Sequence, residues 1–400
     1  MPPLTTADVV YADYQAAKPV DPRVVAAMLP YFSTTFANAA SLHALGDEAT
    51  VALEDARARI ATVFGAQPAE IVFTSGATEA NNLGIIGYMQ RNRRKGDHVV
   101  ITEAEHISVL NIAKYLEKNG FRVSRCPIDL NGRVSLKKLR ARITDDTILV
   151  SVGWASSEIG TIQPIAEIAD MLSGTGVAIH TDAVAAEGLV PIDMSVVPVS
   201  LMSLSANDIY GPRGLGVLYV RKGVQVAPVM FGGGQERGLR SGTEDVAAIV
   251  GMAVAGEIMA AEMPTEVARI QAIRDRLVER VLTGKGIDVG DVRFFFRRGE
   301  RRDSRLEERI RGRESFPQGA EAHHEVRARL ECVDPFLRGR CVALPSARAE
   351  AQPQEALLRD LDEGAVRRAA VRDEGRVPGA EKAGFRDEML HAPLRSRLLV

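Results

Sequence analysis

Residues 203–220 read SLSANDIYGPRGLGVLYV, and residues 232–244 read GGGQERGLRSGTE. The first stretch joins two short apolar runs, Leu201 to Ser205 and Gly216 to Val220, through a turn with glycines at 211, 214 and 216 around Pro212. Glycine admits left-handed backbone and proline fixes φ, so the composition demands a tight, preformed turn between two strands. The second stretch sets Arg237, Arg240, Ser241 and Thr243 on a flexible glycine backbone, side chains that can donate to an anion.

Outward from this motif, residues 50 to 220 alternate helical patterns with short β-branched runs. These are Ile71 to Ser75, His98 to Thr102, Thr147 to Val152 and Val177 to His180, together with the two runs above. That alternation is the rhythm of βαβ units, and it predicts an α/β fold around a mostly parallel sheet. Glu257 to Leu282, which contains MPTEVARIQAIRDRLVERVL, reads as a long amphipathic helix leading out of the domain.

With 400 residues, 46% of them hydrophobic, the chain can build one large domain and a smaller one. A net charge of −2 gives no global attraction for nucleic acid or an anionic membrane, and no uninterrupted apolar run approaches the roughly 20 residues of a spanning helix. Neither partner is expected. Met1 to Asp13 has no basic segment followed by an apolar one, so a cytoplasmic location is expected. Cys126, Cys332 and Cys341 share no CxxC spacing, so neither a disulfide framework nor a metal site is expected.

Residues 291–400 differ in character from the rest. They hold 22 Arg with one Lys (Lys382) and one Ile (Ile310), and no Asn, Thr, Tyr or Trp, whereas residues 1–290 hold 19 Arg, 8 Lys and all seven Tyr. Loss of residues with AT-rich codons, together with gain of Arg, is what a GC-rich gene read out of frame would produce. The other reading is a natural charged extension, partly helical or disordered.

Three more stretches carry chemistry. In FTSGATEANN (Phe73 to Asn82) a β-run ends in Ser75-Gly76 and a helix starts at Ala77-Thr78-Glu79. Free N–H groups at such a start favour a phosphate, with Thr78 adding a hydroxyl; the same residues also make an ordinary helix cap. In TEAEH, His106 follows a strand and lies where ligands gather at the carboxyl edge of a parallel sheet, able to stack on a flat cofactor or move a proton. It can equally be a surface-loop histidine. In AIHTDA, Asp182 ends another strand, where it could pair with a protonated ring nitrogen, hold a metal or cap a helix.

With these blocks in this order, the chain resembles the cysteine desulfurases, within the class V aminotransferase group of fold type I pyridoxal-phosphate (PLP) proteins. The resemblance runs from YADYQAAKPVDPRVVAAMLPYF, beginning at Tyr11, to about residue 285. It implies a homodimer with a mostly parallel, seven-stranded sheet in a large domain. The divisions it implies are an N-terminal segment (1–20) passing near the active site, a PLP-type domain (21–256), a linking helix (257–290), and the Arg-rich tail (291–400) in place of the family's small domain. It further implies L-cysteine as substrate, L-alanine and persulfide sulfur as products, and a scaffold protein for iron–sulfur cluster assembly as partner. Ala77 and Thr78 match the phosphate turn, His106 the histidine on the pyridine ring, and Asp182 the partner of the pyridine nitrogen. Ser205 and Thr243 match phosphate ligands, Thr243 reaching the other subunit.

The departures from the family concentrate in the same pocket. The motif S-[AG]-H-K-x-x-G-P, whose lysine forms the Schiff base, here reads Ser205-Ala206-Asn207-Asp208-Ile209-Tyr210-Gly211-Pro212. A carboxylate cannot form that bond. One like-charge contact with the cofactor phosphate at ~4 Å costs up to about 4 kcal/mol at an effective dielectric near 20, roughly three decades of affinity. Ser157 stands for an asparagine of the family, and Ala185 for a glutamine. In Asp13-Tyr14-Gln15-Ala16-Ala17-Lys18-Pro19, Lys18 stands for a small residue, and a Lys18–Asp208 pair is expected, as in an archaeal-type branch lacking the Schiff-base lysine. The family's persulfide cysteine lies in a Ser/Gly-rich loop; Cys332, in ARLECVDPF, has nearly the right separation but the wrong context, as has Cys341 in GRCVALPS. The expectation is a desulfurase homologue with impaired activity. The alternatives are a non-enzymatic partner of a cluster scaffold, or a PLP enzyme of altered chemistry using Lys18 or His106 as base.

Overall fold

The computed structural model describes residues 13–283. The tail from 291, with Cys332 and Cys341, lies outside the described residues, as do residues 1–12 and 284–290. In chain order the helices are α1 (Pro22–Met28), α2 (Pro30–Ser33), α3 (Ala44–Val63), α4 (Ala77–Asn81), α5 (Tyr88–Asn92), α6 (Ile107–Lys118), α7 (Leu136–Arg140), α8 (Ile165–Leu172) and α9 (Val246–Thr283). The strands are β1 (Ile71–Thr74), β2 (His98–Thr102), β3 (Arg122–Cys126), β4 (Thr147–Ser151), β5 (Ala178–Asp182), β6 (Leu201–Ser205) and β7 (Gly216–Val220).

They form one seven-stranded sheet in the order β1-β7-β6-β5-β4-β2-β3. Strands β3, β2, β4, β5 and β6 run parallel, while β7 is antiparallel to both its neighbours, β6 and β1. The glycine-rich turn after β6 reverses the chain directly into β7, which accounts for the single antiparallel strand. β1 therefore points the same way as β6, and the carboxyl ends of β1, β2, β4, β5 and β6 gather along one edge.

Successive strand residues face opposite layers. Phe73, Val100, Val150, Met202 and Tyr219 pack with Ile60 of α3, Ile168 of α8 and Met252 of α9. Val72, Val99, Leu149, Leu201 and Leu218 pack on the other face with Leu83, Met89 of α5 and Ile112 of α6. Both faces of the sheet are covered, so the central strands read as unbroken apolar runs.

Two elements differ from the sequence expectation. β3, an edge strand reading Arg-Val-Ser-Arg-Cys, has no apolar run to reveal it, because only Cys126 is fully buried. Helix α9 begins at Val246, eleven residues before the amphipathic pattern at Glu257. Its first turns, VAAIVGMAVAG, are apolar on nearly every side and sit against α1 and α3, so no polar stripe marks them. Within Val246–Leu277 an 18-residue stretch of this helix is, by length and composition, apolar enough to cross a membrane, with a mean hydropathy of 1.7 and 56% of the stretch buried in the fold. Glu257 and Glu262 interrupt the run, which is why counting uninterrupted apolar residues passes over it.

Candidate active site

The edge formed by the strand carboxyl ends collects most of the predicted site residues. At the end of β1, Gly76 adopts φ 145° and ψ 173°, a conformation closed to other residues without strain, and it caps α4. A Cβ on Gly216, at the start of β7, would lie 2.6 Å from the Gly76 main chain, so both glycines are required for the turn to cross the strand end. Ala77 is half-buried and Thr78 exposed, its hydroxyl open at the helix start.

The loop 232–244 is bound to this turn, and its arginines are used for that purpose. Glu236 is buried; it accepts from Phe73 N at 2.9 Å and takes a two-pronged pair from Arg57, at 2.8 Å on each oxygen. Arg237 donates to the Ile71 carbonyl at 2.6 Å, and Arg240 pairs with Glu79 at 2.9 Å. Glu79 in turn accepts from Ser75 N at 2.7 Å. The expectation that Arg237 and Arg240 are anion donors is thus corrected: both are engaged within the protein. The Ser241 hydroxyl is buried and accepts from Gly234 N, while Thr243 is exposed.

His106 caps α6. The Ser108 N–H donates to its Nδ1 at 3.2 Å, and Ser108 Oγ lies 2.7 Å from the same nitrogen. Nδ1 is therefore an acceptor, and the neutral ring carries its proton on Nε2. Asn81 Nδ2 donates to Ser108 Oγ at 3.0 Å and to Asp182 Oδ2 at 2.7 Å, so a hydrogen-bond chain joins His106 to Asp182. Burial pushes the Asp182 carboxyl up; donation from Asn81 and Val184 N pulls it back, and Asp208 pushes it further up. Beneath lies Glu105, which accepts from the Thr102 hydroxyl and from Gly153 N at 2.9 Å. Its other oxygen has no partner, and burial pushes the carboxyl up to about 7. Asn81, Glu105 and Ser108 were missed individually, although the first two stand inside the FTSGATEANN and TEAEH stretches.

The third part is the turn after β6. Ala206–Ile209 form a single 3₁₀ turn closed by Tyr210 at φ 61°. Burial raises the Asp208 carboxyl, against Lys18 and hydrogen bonds from Ser205 and Asn207. Lys18 arrives from the N-terminal segment, and its Nζ donates to the Asp208 main-chain carbonyl at 2.6 Å while lying 5.1 Å from the centre of the Tyr210 ring. Lys18 thus reaches the expected turn, but its direct acceptor is the peptide carbonyl and not the Asp208 carboxylate, which it meets only through its charge. Glu187, 2% exposed, was missed; its signal is a lone carboxylate in the run AVAAEGLV. One of its oxygens accepts from Ser205 N at 2.6 Å, the other has no partner, and burial raises it well above the usual range.

Lys18, Asp208 and Glu187 line a cleft of about 510 Å³, with Ser157 and Ala185 on its rim and Ile258 and Met259 of α9 forming an apolar wall. Lys18 is the one lysine among the described residues lining it. Among the described residues no cluster of metal-ligating side chains occurs.

A seven-stranded sheet of this order, with helices on both faces and His106, Asp182 and Ser205 at one edge, is the large domain of a fold type I PLP protein. The model of the aminotransferase class-V family matches residues 10–294. The chain belongs to this family, among its cysteine desulfurases. It is 50% identical over 272 residues to cysteine desulfurase IscS 1 of Archaeoglobus fulgidus, covering 68% of this chain and 71% of that protein. To cysteine desulfurase IscS of Clostridium botulinum (strain Kyoto) it is 43% identical, covering 68% of each chain. Among solved structures, a NifS-like protein superposes with a TM-score of 0.67 at 38% identity, over 68% of this chain and 75% of that one.

The family implies PLP, and the residues here divide over it. The Gly76 turn, His106 and Asp182 suit a phosphate, a ring face and a ring nitrogen. The turn at 208 offers a carboxyl where a covalent link needs an amine, and the buried Glu187 and half-buried Asp208 oppose a phosphate dianion. The loop arginines that could offset them are engaged with Ile71 and Glu79. A PLP held covalently at residue 208 does not fit.

Proposed function

We propose that this protein is a cytoplasmic, homodimeric member of the cysteine desulfurase family that does not convert L-cysteine to L-alanine and persulfide sulfur through a lysine at 208, and that it serves iron–sulfur cluster assembly as a partner of a cluster scaffold protein. The observation carrying this reading is Asp208: a half-buried carboxyl in the turn where the family's motif sets its Schiff-base lysine, with a buried carboxyl, Glu187, lining the same cleft. Asp208 fits a branch of the family in which aspartate replaces that lysine. The kept surfaces are those of the large domain; the lost groups are those of the chemistry.

One observation favours a second reading, a PLP enzyme of altered chemistry. Lys18 brings a primary amine to the same turn, 2.6 Å from the residue 208 carbonyl. The test is incubation of the purified protein with PLP, reduction with borohydride, and peptide mass spectrometry, alongside an assay of alanine formation from L-cysteine. The expected result is no pyridoxyl-lysine and no alanine above a protein-free control, with a cluster scaffold protein still retained in a pull-down. A pyridoxyl group on Lys18 with alanine produced would replace the first reading by the second.

A further inference from the structure

We infer that a second cleft, at the edge of the sheet opposite the candidate active site, binds a small hydroxyl-bearing oxyanion, its charge on Lys95 and its stem on Tyr88 and Asn92. The inference is independent of whether PLP is bound, because the two clefts share no lining residue.

The cleft, about 510 Å³, lies where β5 and β6 begin and β7 has ended, between the last turns of α5 and α8. This is the amino edge of the parallel strands, away from the carboxyl edge where ligands of such sheets ordinarily gather. Tyr88 and Asn92, four residues apart on one face of α5, line it while being only 6% and 5% exposed. Asn92 Nδ2 donates to the Tyr88 and Gln225 carbonyls at 3.0 Å each, and nothing among the described residues donates to its Oδ1. The Tyr88 hydroxyl has no partner among the described residues, and burial raises its pKa, which keeps its proton available for donation. Neither oxygen is sealed from solvent, so both present polar surface to the cleft. Two buried side chains thus hold a donor and an acceptor unspent beside open space.

Charge decides what completes them. Lys95 follows in the turn after α5, its N–H bonded to the Asn92 carbonyl at 2.8 Å, and its ammonium has no ion pair among the described residues. No Asp or Glu lines the cleft, and residues 91–95 read RNRRK. Across from them, Gly174 and Gly176 in the loop after α8 have main-chain N–H groups that donate to nothing among the described residues. Both take positive φ, 74° and 79°, with open space where a Cβ would stand, so a guest can approach the backbone. Ammonium, phenol and free N–H groups make donors in excess, complementary to an oxyanion and opposed to a cation. The volume exceeds that of a bare phosphate or carboxylate, and Leu172, Val177 and Val224 add hydrocarbon, so the anion carries an organic stem. Asn92 Oδ1, an acceptor, selects a hydroxyl on that stem.

The probes are glycerol 3-phosphate and glycerate, titrated calorimetrically into the full chain, with glycerol as the uncharged control. Saturable binding of at least one anion is expected, with glycerol weaker by at least about ten-fold; the tighter anion tells phosphate from carboxylate. K95A alters an exposed side chain and Y88F keeps the buried ring, so both should retain the wild-type far-UV circular dichroism. K95A should weaken the anion by about ten-fold and Y88F by about five-fold. An anion held instead at the Gly76 turn would be unmoved by either substitution. No saturable binding of either anion, equal binding of glycerol, or wild-type affinity in both variants overturns the inference.

Discussion

Glu105 lies under the end of β2 with one oxygen held by Thr102 and Gly153 and the other facing no donor. Its folded pKa of about 7 stands above the ordinary 4.5, so between these values the folded protein binds more protons than the unfolded chain. Stability therefore falls as pH rises through that window, by up to about 3 kcal/mol from this group once pH exceeds its folded pKa. E105Q retains an acceptor for Thr102 and Gly153 and cannot ionise. Urea denaturation should find it close to the wild type at pH 5 and more stable at pH 8. An unchanged difference between the two pH values would mean that Glu105 is solvated. The residues the sequence reading named here, His106 and Asp182, were found because they end recognisable strands. Their link, Asn81 to Ser108, required the end of α4 and the start of α6 to be brought side by side, which no local pattern reports.

At the scale of elements, the loop 232–244 and strand β1 behave as one unit because Glu236 and Arg57 join them. Both side chains are nearly inaccessible, 1% and 3% exposed, so removing Glu236 leaves the buried Arg57 guanidinium to the exposed Glu54 and the Ile71 carbonyl, and removing Arg57 leaves the Glu236 carboxylate with Phe73 N alone among its bonds described above. E236A should cost about 3–5 kcal/mol in equilibrium unfolding, and the double substitution R57M/E236M should recover much of that loss, since the pair together spends desolvation for its attraction. Additive losses would instead show that each residue acts through separate contacts. The turn beside this clamp gives a second expectation. G216A would drive a methyl to within 2.6 Å of the Gly76 main chain, and a loss of about 1–3 kcal/mol is expected in thermal unfolding. Sequence spacing located this loop correctly and assigned its arginines wrongly. A glycine-rich segment with Arg, Ser and Thr looks the same whether its guanidinium groups face a ligand or a neighbouring strand.

Over the whole molecule, Leu29, Phe32, Phe36 and Leu42 stand exposed between α1 and α3. In the homodimer proposed above, a run of this kind is the surface a second copy covers. Replacing Phe32 and Phe36 together by aspartate should shift sedimentation velocity from dimer to monomer without loss of far-UV circular dichroism; an unchanged dimer would move the interface elsewhere. The sequence by itself determined the α/β class, six of the seven strands, the turn chemistry of the β6–β7 connection and the absence of an amine at residue 208. Each of these is written in local terms: an apolar period, a glycine that must take an unusual φ, a side chain without a nitrogen. Only the tertiary structure decided that β3 closes the sheet edge, that Arg237 and Arg240 serve the fold, and that Glu187, Asp208 and Lys18 share one cleft. Those facts depend on which groups lose water together and which partners remain for them, and burial of that kind is a property of distant segments packed against one another.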